Sequence, residues 1–406
     1  MEHMAEVVPD ADSQSLQHFI SESDWDEREV LNQVAKEADA QLGGKEDSCL
    51  IVDESGFAKK GTKSVGVSRQ WNGNKGKVDN SQVGVFIALN CGNRATLIDE
   101  QLYLPEAWTD DKQRCLDAGI PENKIIFKQK QEQALEMIYR AKNNGIRYNW
   151  VGCDGFYGED PAFLRMLDFQ NEIFMADVHK DQRIYLKDPK PVVPERKSKR
   201  GKAPSRLKAQ TQAIRVDKFA QHQPSNAWQK MKIRDSSKGV VSAEILHQQV
   251  WLWDGEEEQA HNWHLIIKRE INSPKTIKYS LSNADKETSQ ERLAFMQGQR
   301  YWVEDSIKNG KQSCGLSDYQ VRKWRGFHHH MALSLMVMLF MLEERQKHEV
   351  EKPLLSCSDI RILLSHFLPR RDVTTDEVMR QMEVRHRKRQ SSIDSAQRIK
   401  KITLLL

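Results

Sequence analysis

Two aspartates follow short apolar runs, where a carboxylate is held rigidly and stays open to solvent and metal ions. Asp53 comes directly after residues 49–52, and Asp154 comes directly after residues 148–153. A continuous apolar run bounded by polar residues and glycine is typical of a strand that is buried on both faces. We therefore expect each carboxylate to lie where its strand leaves the sheet, a common position for residues that carry chemistry. A turn aspartate is the alternative, and for Asp53 taken alone the sequence favours it.

A third carboxylate lies between two cations in a segment with helical periodicity. Glu304 follows Arg300 by four residues, and Lys311 follows Arg300 by eleven. At about 100° per residue, these three side chains fall within about 40° of one another around a helix. For an arbitrary helix, a surface ladder of ion pairs is the favoured interpretation. Here, however, two aspartates precede this segment in an order of three strands, a helix and a strand. This order favours one site that the three acids share over a surface ladder of ion pairs.

The elements that must position these acids begin with three strands. Residues 83–91 and 94–104 have the pattern of strands, and the turn Cys91-Gly92-Asn93 between them is a strong hairpin signal. We therefore expect three consecutive strands that are antiparallel neighbours. The preceding stretch, residues 59–80, is rich in glycine, lysine and asparagine. It predicts either a loop near phosphates or a solvated loop, and the solvated loop is favoured.

A helix and a fourth strand follow the hairpin. Residues 129–144 have the periodicity of an amphipathic helix that ends at Gly145, and residues 148–153 form the apolar run before Asp154. A strand reached through a helix is usually parallel to the strand that it joins. If the fourth strand pairs with the first, Asp53 and Asp154 emerge at the same edge.

A change in composition follows a fifth predicted strand at residues 174–178. Residues 187–208 are rich in Lys, Arg and Pro, so this run has little to bury and is expected to be extended or mobile. Short strand-like pieces continue to Lys268, and helical periodicity returns from Ser289. The expected fold class is α/β, a mixed sheet flanked by helices, with a β-rich insertion and helical N- and C-terminal parts.

Five segments make up the expected domain organisation. Near the N-terminus, residues 13–43 predict two helices, the second with Ser23 as its N-cap and an end at Gly43-Gly44. The segments are a helical N-terminal module (1–45), a core in two parts (46–180 and 286–346), a β-rich insertion with a basic loop (181–285) and a basic helical C-terminal region (347–406).

Composition excludes some classes of protein but names no partner. The 406 residues carry a net charge of +4, with 30% charged residues and a pI of about 8.6. The six cysteines form no CxxC pair, which suits a reducing cytoplasm and argues against a structural zinc or a disulfide framework. No signal peptide is apparent, and the longest apolar run, residues 331–342, is shorter than the roughly 20 residues of a membrane span. We expect a cytoplasmic protein without membrane contact.

Three motifs surround the acids: Ile-Val-Asp-Glu-Ser-Gly-Phe (51–57), Val-Gly-Cys-Asp-Gly-Phe-Tyr-Gly (151–158) and Gln-Arg-Tyr-Trp-Val-Glu-Asp (299–305). With these motifs the chain resembles the DDE transposases of bacterial insertion sequences, whose catalytic domain has the ribonuclease-H-like fold shared with retroviral integrases. More narrowly, it looks like the cut-and-paste branch, which has a Tyr, Arg, Glu, Lys signature on the last catalytic helix and a β-rich insertion before it. The resemblance spans about residues 4–342.

The resemblance implies a role for each of five residues. Asp53, Asp154 and Glu304 match the three catalytic acids, and Arg300 and Lys311 match the arginine and lysine of the signature. Such acids supply the oxygen ligands that two Mg²⁺ or Mn²⁺ ions prefer, and two ions about 3.5 to 4 Å apart activate the attacking water and stabilise the leaving oxygen. Asp53 is expected to bridge the ions, with Asp154 and Glu304 each completing one site. Arg300 and Lys311 are expected to hold DNA phosphates.

The resemblance also implies double-stranded DNA as the partner. The expected form is a homodimer in the bacterial cytoplasm, associated with the nucleoid. It is expected to bind the element's terminal inverted repeats and the target DNA, and to cleave the element by way of hairpin intermediates at its ends. A base leaves the stack in a hairpin, and Trp302, Trp263 and Trp253 are candidate platforms for it, although core packing is the commoner role of a tryptophan. In the basic run, DNA contact is favoured over a solvated linker for Arg196, Lys197, Lys199 and Arg200.

Two departures from the family pattern leave alternatives open. The signature tyrosine falls at Gln297, so its contact is altered or comes from Tyr301. Relatives carry more helical sequence before Met4, so a DNA-binding remnant that represses or competes at element ends is the alternative function. A ribonuclease-H-like hydrolase that never joins ends is a third hypothesis. The consecutive histidines 328–330 point about 100° apart on a helix, and we interpret them as a helix surface.

Overall fold

The protein is described by a computed structural model over residues 2–73, 75–196, 204–236, 239–273 and 275–403. Its helices are α1 (Glu2–Val7), α2 (Ser13–Ser21), α3 (Glu27–Leu42), α4 (Glu106–Thr109), α5 (Lys112–Asp117), α6 (Lys130–Asn143), α7 (Gly155–Gly158), α8 (Pro161–Phe169), α9 (Val216–Gln221), α10 (Gln290–Gln299), α11 (Tyr301–Ser313), α12 (Trp324–Lys347), α13 (Cys357–Phe367) and α14 (Thr375–Thr403). Its strands are β1 (Ser48–Ala58), β2 (Ser68–Asn72), β3 (Lys77–Cys91), β4 (Arg94–Leu102), β5 (Trp150–Cys153), β6 (Phe174–Val178), β7 (Arg183–Ile184), β8 (Ile214–Arg215), β9 (Gln229–Ser236), β10 (Gly239–Leu252), β11 (His261–Glu270) and β12 (Ile277–Ser282).

One mixed sheet of ten strands organises the larger part of the chain. Five of its strands lie in the order β4-β3-β1-β5-β6, in which β3 is antiparallel to β1 and β4, whereas β5 is parallel to β1 and β6 is parallel to β5. The hairpin of β3 and β4 turns at Gly92, as its sequence predicts. The helix α6 supplies the crossover from the antiparallel part to the parallel part. The expected ribonuclease-H-like mixed sheet, flanked by helices, is therefore confirmed.

Asp53 does not lie at the end of its strand on the side that pairs with β3, so the prediction is wrong for that side. β1 continues for five residues after Asp53, because the long strand β3 pairs with it as far as Ala58. On the other side, β5 pairs with β1 only from Cys49 to Ile51. Asp53 therefore lies just beyond the parallel pairing while the antiparallel pairing continues, and one of its edges is open. The loop expected at residues 59–80 also contains the short strand β2 and the beginning of β3.

The β-rich segment adds its strands directly to the same sheet. β12 pairs antiparallel with β6, and β11, β10 and β9 follow outwards in antiparallel order. The strands β7 and β8 form a separate two-stranded sheet. The β-rich segment and the ribonuclease-H-like strands thus share one continuous ladder of backbone hydrogen bonds.

Helices cover the sheet where their apolar faces can be buried. α3 begins after Asp26, whose carboxylate accepts hydrogen bonds from the backbone N–H groups of Arg28 and Glu29, so the predicted N-cap Ser23 is wrong by three residues. α11 packs across β1, β3 and β4, and α12 packs against α3 and β4. The helical periodicity that returns from Ser289 belongs to two helices, which are divided at Arg300, where α10 ends and α11 begins.

The histidine cluster on α12 is a corrected prediction. His328 and His329 are 6% and 0% exposed, so they are core residues and not a helix surface. His328 Nδ1 lies 2.6 Å from Oε1 of the fully buried Glu100 on β4. A buried carboxylate on a strand needs such a partner, and the histidine supplies it.

The chain divides into two compact units, and the helical ends expected from the sequence are confirmed. The larger unit is Asp26–Ser358, and the smaller unit combines Met1–Trp25 with Asp359–Leu406. In the smaller unit, Arg385 of α14 pairs with Glu6 of α1 at 2.9 Å. The five domain boundaries expected from the sequence stay predictions. None of the described helices is long and apolar enough to cross a membrane.

Gly158 provides a prediction about packing. A Cβ added at this position of α7 would lie 2.0 Å from the carbonyl oxygen of Asp177 on β6, so α7 can lie against β6 only with glycine there. We expect Gly158→Ala to lower the free energy of unfolding by about 1–3 kcal/mol, because backbone atoms must move apart. Urea denaturation measures the change. Gly73→Ala is the matched control, since a Cβ at Gly73 meets nothing within 4 Å; an equal effect of both substitutions would contradict the prediction.

Candidate active site

Asp53, Asp154 and Asp177 lie in one row across three neighbouring parallel strands. Ile51 of β1 pairs with Gly152 of β5, so Asp53 and Asp154 lie two residues further along at matching positions. Cys153 of β5 pairs with Ala176 of β6, so Asp177 is next in the same row. Residues at matching positions of adjacent strands project to the same face of a sheet. The fold therefore brings together the two predicted aspartates and a third that the sequence analysis missed.

The backbone holds both predicted aspartates in place. Asp154 is the N-cap of α7, and its Oδ1 accepts hydrogen bonds from the backbone N–H groups of Phe156 at 3.0 Å and Tyr157 at 3.4 Å. Asp53 Oδ1 accepts a hydrogen bond from the backbone N–H of Glu54 at 2.8 Å. Each carboxylate keeps its second oxygen for another partner. Asp154 thus combines the helix-cap role of a turn residue with a place beside Asp53.

The electrostatic environment resists two negative charges at this point. Burial, and then the charge of Asp154, raises the pKa of Asp53 to about 7, whereas Arg300 acts in the opposite direction. Burial also raises the pKa of Asp154, again against the effect of Arg300. Like charges that share a buried site favour protonation of one of them unless a cation is present. The pair is therefore a place where additional positive charge is stabilised.

Arg300 is the cation of this site. Its Nε donates to Asp177 Oδ2 at 3.0 Å, and its Nη2 lies 2.8 Å from Glu304 Oε1. Burial by itself would lower the pKa of Arg300, but the charges of Asp177, Glu304, Asp53 and Asp154 raise it above its ordinary value. The guanidinium thus lies among four carboxylates, and the predicted arginine and glutamate are confirmed as neighbours.

Asp177 belongs to a polar chain that reaches α10. Ser280 of β12 donates from Oγ to Asp177 Oδ1 at 2.6 Å, and Gln297 of α10 donates from Nε2 to Ser280 Oγ at 2.7 Å. Gln297, at the position of the signature tyrosine, is 5% exposed and is thus directed into the protein. A lone aspartate inside the apolar run Phe-Met-Ala-Asp-Val was a signal for Asp177, because a charge in a buried strand must be paired.

Glu304 lies on the first turn of α11 and is the most exposed of the four acids, with half of its side chain open to solvent. It makes an i,i+4 ion pair with Arg300. Within the described residues, no three His, Cys, Asp or Glu side chains converge to form a ready metal cage. Glu304 thus pairs with Arg300 near the two aspartates but does not form a cluster of ligands with them.

Lys311 and Trp302 lie on either side of Glu304 along α11. Lys311 donates from Nζ to Ser55 Oγ at 2.7 Å and to the Gly56 carbonyl at 3.2 Å, which ties α11 to β1. Burial lowers the pKa of Lys311 to about 8, while the charge of Asp53 opposes the shift. Trp302 is partly buried and contacts the Tyr301 ring edge to face, with 5.0 Å between ring centroids.

Comparison of the sequence with known protein families identifies the family of this chain. The model of the DDE superfamily endonucleases matches residues 1–240. The chain belongs to the DDE superfamily endonucleases. The match includes Asp53, Asp154 and Asp177, and it confirms the prediction of an enzyme of this family.

Two further comparisons place this DDE endonuclease beside known proteins. A protein of Microchaete diplosiphon described as a probable transposase for insertion sequence element IS701 is 26% identical over 323 residues, which span 78% of this chain and 71% of that protein. The NurA nuclease from Sulfolobus solfataricus covers 80% of this chain and 93% of its own, at 8% identity and a TM-score of 0.26. A TM-score this low supports no conclusion about fold or function.

DDE endonucleases generally use divalent metal ions, and the acids of this site fit such ions. Carboxylate oxygens are the ligands that Mg²⁺ and Mn²⁺ prefer. Asp53 and Asp154 each have an oxygen that makes no hydrogen bond in the described structure. Burial raises the pKa of both carboxyls, and the charge of Asp154 adds to the shift of Asp53. Glu304, with half of its side chain exposed, would be the third carboxylate available to such an ion.

The predicted basic run is only partly described in this DDE endonuclease. Arg196 is exposed, and Lys197, Lys199 and Arg200 lie outside the described residues. Their contact with DNA stays a prediction, as do the contacts of Lys311 and Trp302.

The raised pKa of Asp53 predicts how the stability of the metal-free enzyme depends on pH. Because the folded-state pKa of about 7 lies above the ordinary 3.8, the folded state binds the proton more tightly than the unfolded state. Asp53 thus contributes stability at low pH that is lost between about pH 4 and pH 7. We expect Asp53→Asn to be more stable than the original chain at pH 8 in EDTA and to converge with it near pH 4. Thermal unfolding at both pH values measures this, and a constant difference would contradict it.

Proposed function

We propose that this chain is an insertion-sequence transposase that cuts DNA at element ends and joins those ends to target DNA. The main observation is the row of Asp53 and Asp154 on neighbouring parallel strands, with the Arg300–Glu304 ion pair beside them. The family match supports DNA strand cleavage, and the IS701 relative supports the joining step.

The four carboxylates divide into metal ligands and a support for Arg300. Two divalent ions, when bound, supply an activated water and stabilise the charge on the attacking and leaving oxygens. We assign Asp53 as the ligand that both ions would share. At Asp53 one edge of β1 is paired with β3, and the other edge is open on the side of Asp154. Asp154 and Glu304 would each complete one of the two sites. Asp177 is assigned to Arg300, since it already bonds the guanidinium and Ser280.

Arg300 has two partners, and this arrangement suits a residue that exchanges one of them. If Glu304 were to hold a metal ion, Nε of Arg300 could keep its hydrogen bond to Asp177 while its Nη2 became available to another partner. A guanidinium is suited to such a role because its fork binds a phosphate in a fixed geometry. Arg300 is therefore assigned to a DNA phosphate next to the metal ligands.

The remaining assignments rest on the family resemblance. Lys311, Trp302 and the basic residues Arg196, Lys197, Lys199 and Arg200 are proposed DNA contacts. The same proposal includes hairpin intermediates at the element ends, a homodimer bound to the terminal repeats, and association with the bacterial nucleoid.

A labelled element end and a target plasmid test the proposal. Nicked ends and joined products that depend on Mg²⁺ are the expected result. End binding without cutting would favour the DNA-binding remnant, and nicks without joined products would favour a simple hydrolase. Either of these outcomes would overturn the transposase assignment.

A further inference from the structure

A cavity of about 330 Å³ lies beside Arg300, between α10 and α11 on one side and the strands of the β-rich segment on the other. Its charged and aromatic lining consists of Arg234, Lys268, Glu270, Lys278, Arg300, Tyr301 and Glu304. The volume is within the range of about 300–1,000 Å³ that is usual for ligand pockets. The cavity can therefore hold a group of about the size of one nucleotide.

Two lysines lie directly opposite each other in the wall of this cavity. Lys268 of β11 pairs in register with Lys278 of β12, so both side chains project from the same face of the sheet. Like charges at such a position destabilise a sheet. Burial, and then the charge of Lys278, lowers the pKa of Lys268. Neither lysine makes an ion pair within the described residues.

The acids of the cavity do not balance its cations. Arg300 and Glu304 pair with each other, and the other charged residues of the lining are three cations, Arg234, Lys268 and Lys278, and one acid, Glu270. Arg234 is held by an aromatic ring, since its guanidinium carbon lies 3.5 Å from the centroid of Tyr301. The cavity thus carries more cationic than acidic side chains, and it adjoins the proposed metal ligand Glu304.

We propose that this pocket binds a phosphodiester group of the DNA strand at the active site, with Lys268 and Lys278 holding its negative charge. The proposal rests on the proposed function for the identity of the anion. It gives the two strands β11 and β12 a direct part in placing the DNA strand. It also explains why two like charges are kept opposite each other: the phosphate removes their repulsion when DNA is bound.

Binding of a fluorescent 20-base-pair DNA duplex in EDTA tests the pocket. The full chain and the variants Lys268→Gln, Lys278→Gln and Lys36→Gln are compared by anisotropy between about 50 and 200 mM salt. Lys36 is an exposed lysine on α3 and provides the matched loss of charge. For each pocket variant we expect several-fold weaker binding and a salt slope smaller by about 1, since one phosphate contact is lost. The control keeps its affinity and slope.

A second measurement guards against loss of folding. Without DNA, both pocket variants are expected to unfold at the same temperature as the original chain or a higher one, because a repulsion is removed. Pocket variants that bind like Lys36→Gln, or a chain that binds no DNA at all, would overturn the pocket. Lysine-dependent binding without any Mg²⁺-dependent cutting would instead overturn the transposase assignment and leave the pocket in place.

Discussion

Asp53→Asn is expected to reduce Mg²⁺-dependent cleavage of an element end by at least about a hundredfold. The amide cannot supply the charge of a shared carboxylate ligand, and even indirect partners of metal ligands are worth about 10- to 100-fold in activity or metal affinity. The substitution also removes the repulsion between Asp53 and Asp154. Single-turnover cleavage of a labelled duplex measures the loss.

The same variant provides its own control for folding. Because the neutral side chain suits the buried position, the metal-free Asp53→Asn protein should be at least as stable as the original chain at pH 8. Asp110→Asn, at an exposed position after α4, makes the same chemical change away from the site and should cut normally. Cleavage by Asp53→Asn at the rate of Asp110→Asn would show that Asp53 is not a metal ligand.

Arg300→Gln is expected to destabilise the metal-free protein by about 3–5 kcal/mol, the usual cost of removing one partner of a buried ion pair. The arginine is 17% exposed, and without it the carboxylates of Asp177, Glu304, Asp53 and Asp154 have lost their common cation. Thermal unfolding in EDTA measures the change.

Divalent ions give this prediction a second part. Mg²⁺ should restore much of the stability that Arg300→Gln loses, since a bound ion supplies positive charge among the same acids and stabilises only the folded state. Asp177→Asn should cost less, because Arg300 then keeps Glu304. If Mg²⁺ stabilised the original chain and Arg300→Gln equally, Arg300 and the metal ions would not share the same acids, and the prediction would be contradicted.

The sequence contains enough information to predict the central sheet and most of the acid site. The apolar run before Asp53, the hairpin at Gly92 and the crossover helix α6 are local signals, and they fix the order and direction of the strands. The extension of β1 beyond Asp53 was not predictable in this way, because it depends on the length of its partner β3. Strand length follows from pairing, and pairing is not local.

The same reason explains the errors on the helices and the missing acid. His328 is buried because Glu100 on a distant strand needs a partner, which helical periodicity alone does not reveal. Asp177 lies outside the three motifs; its apolar run signals a paired charge, but its place beside Asp154 follows only from the register of β5 and β6. Contacts between elements that are far apart in the chain decided both cases.

The attachment of β12 to β6 limits how this protein can be shortened. Removal of residues 181–285 would take away the strand that covers the outer edge of β6, from Met175 to Val178. The remaining core would then end in a row of unpaired backbone N–H and C=O groups, which is a template for aggregation. It would also lack Ser280, the side chain that holds Asp177 in place. The β-rich segment is therefore part of the finished core, and a minimal nuclease cannot be made by excising it.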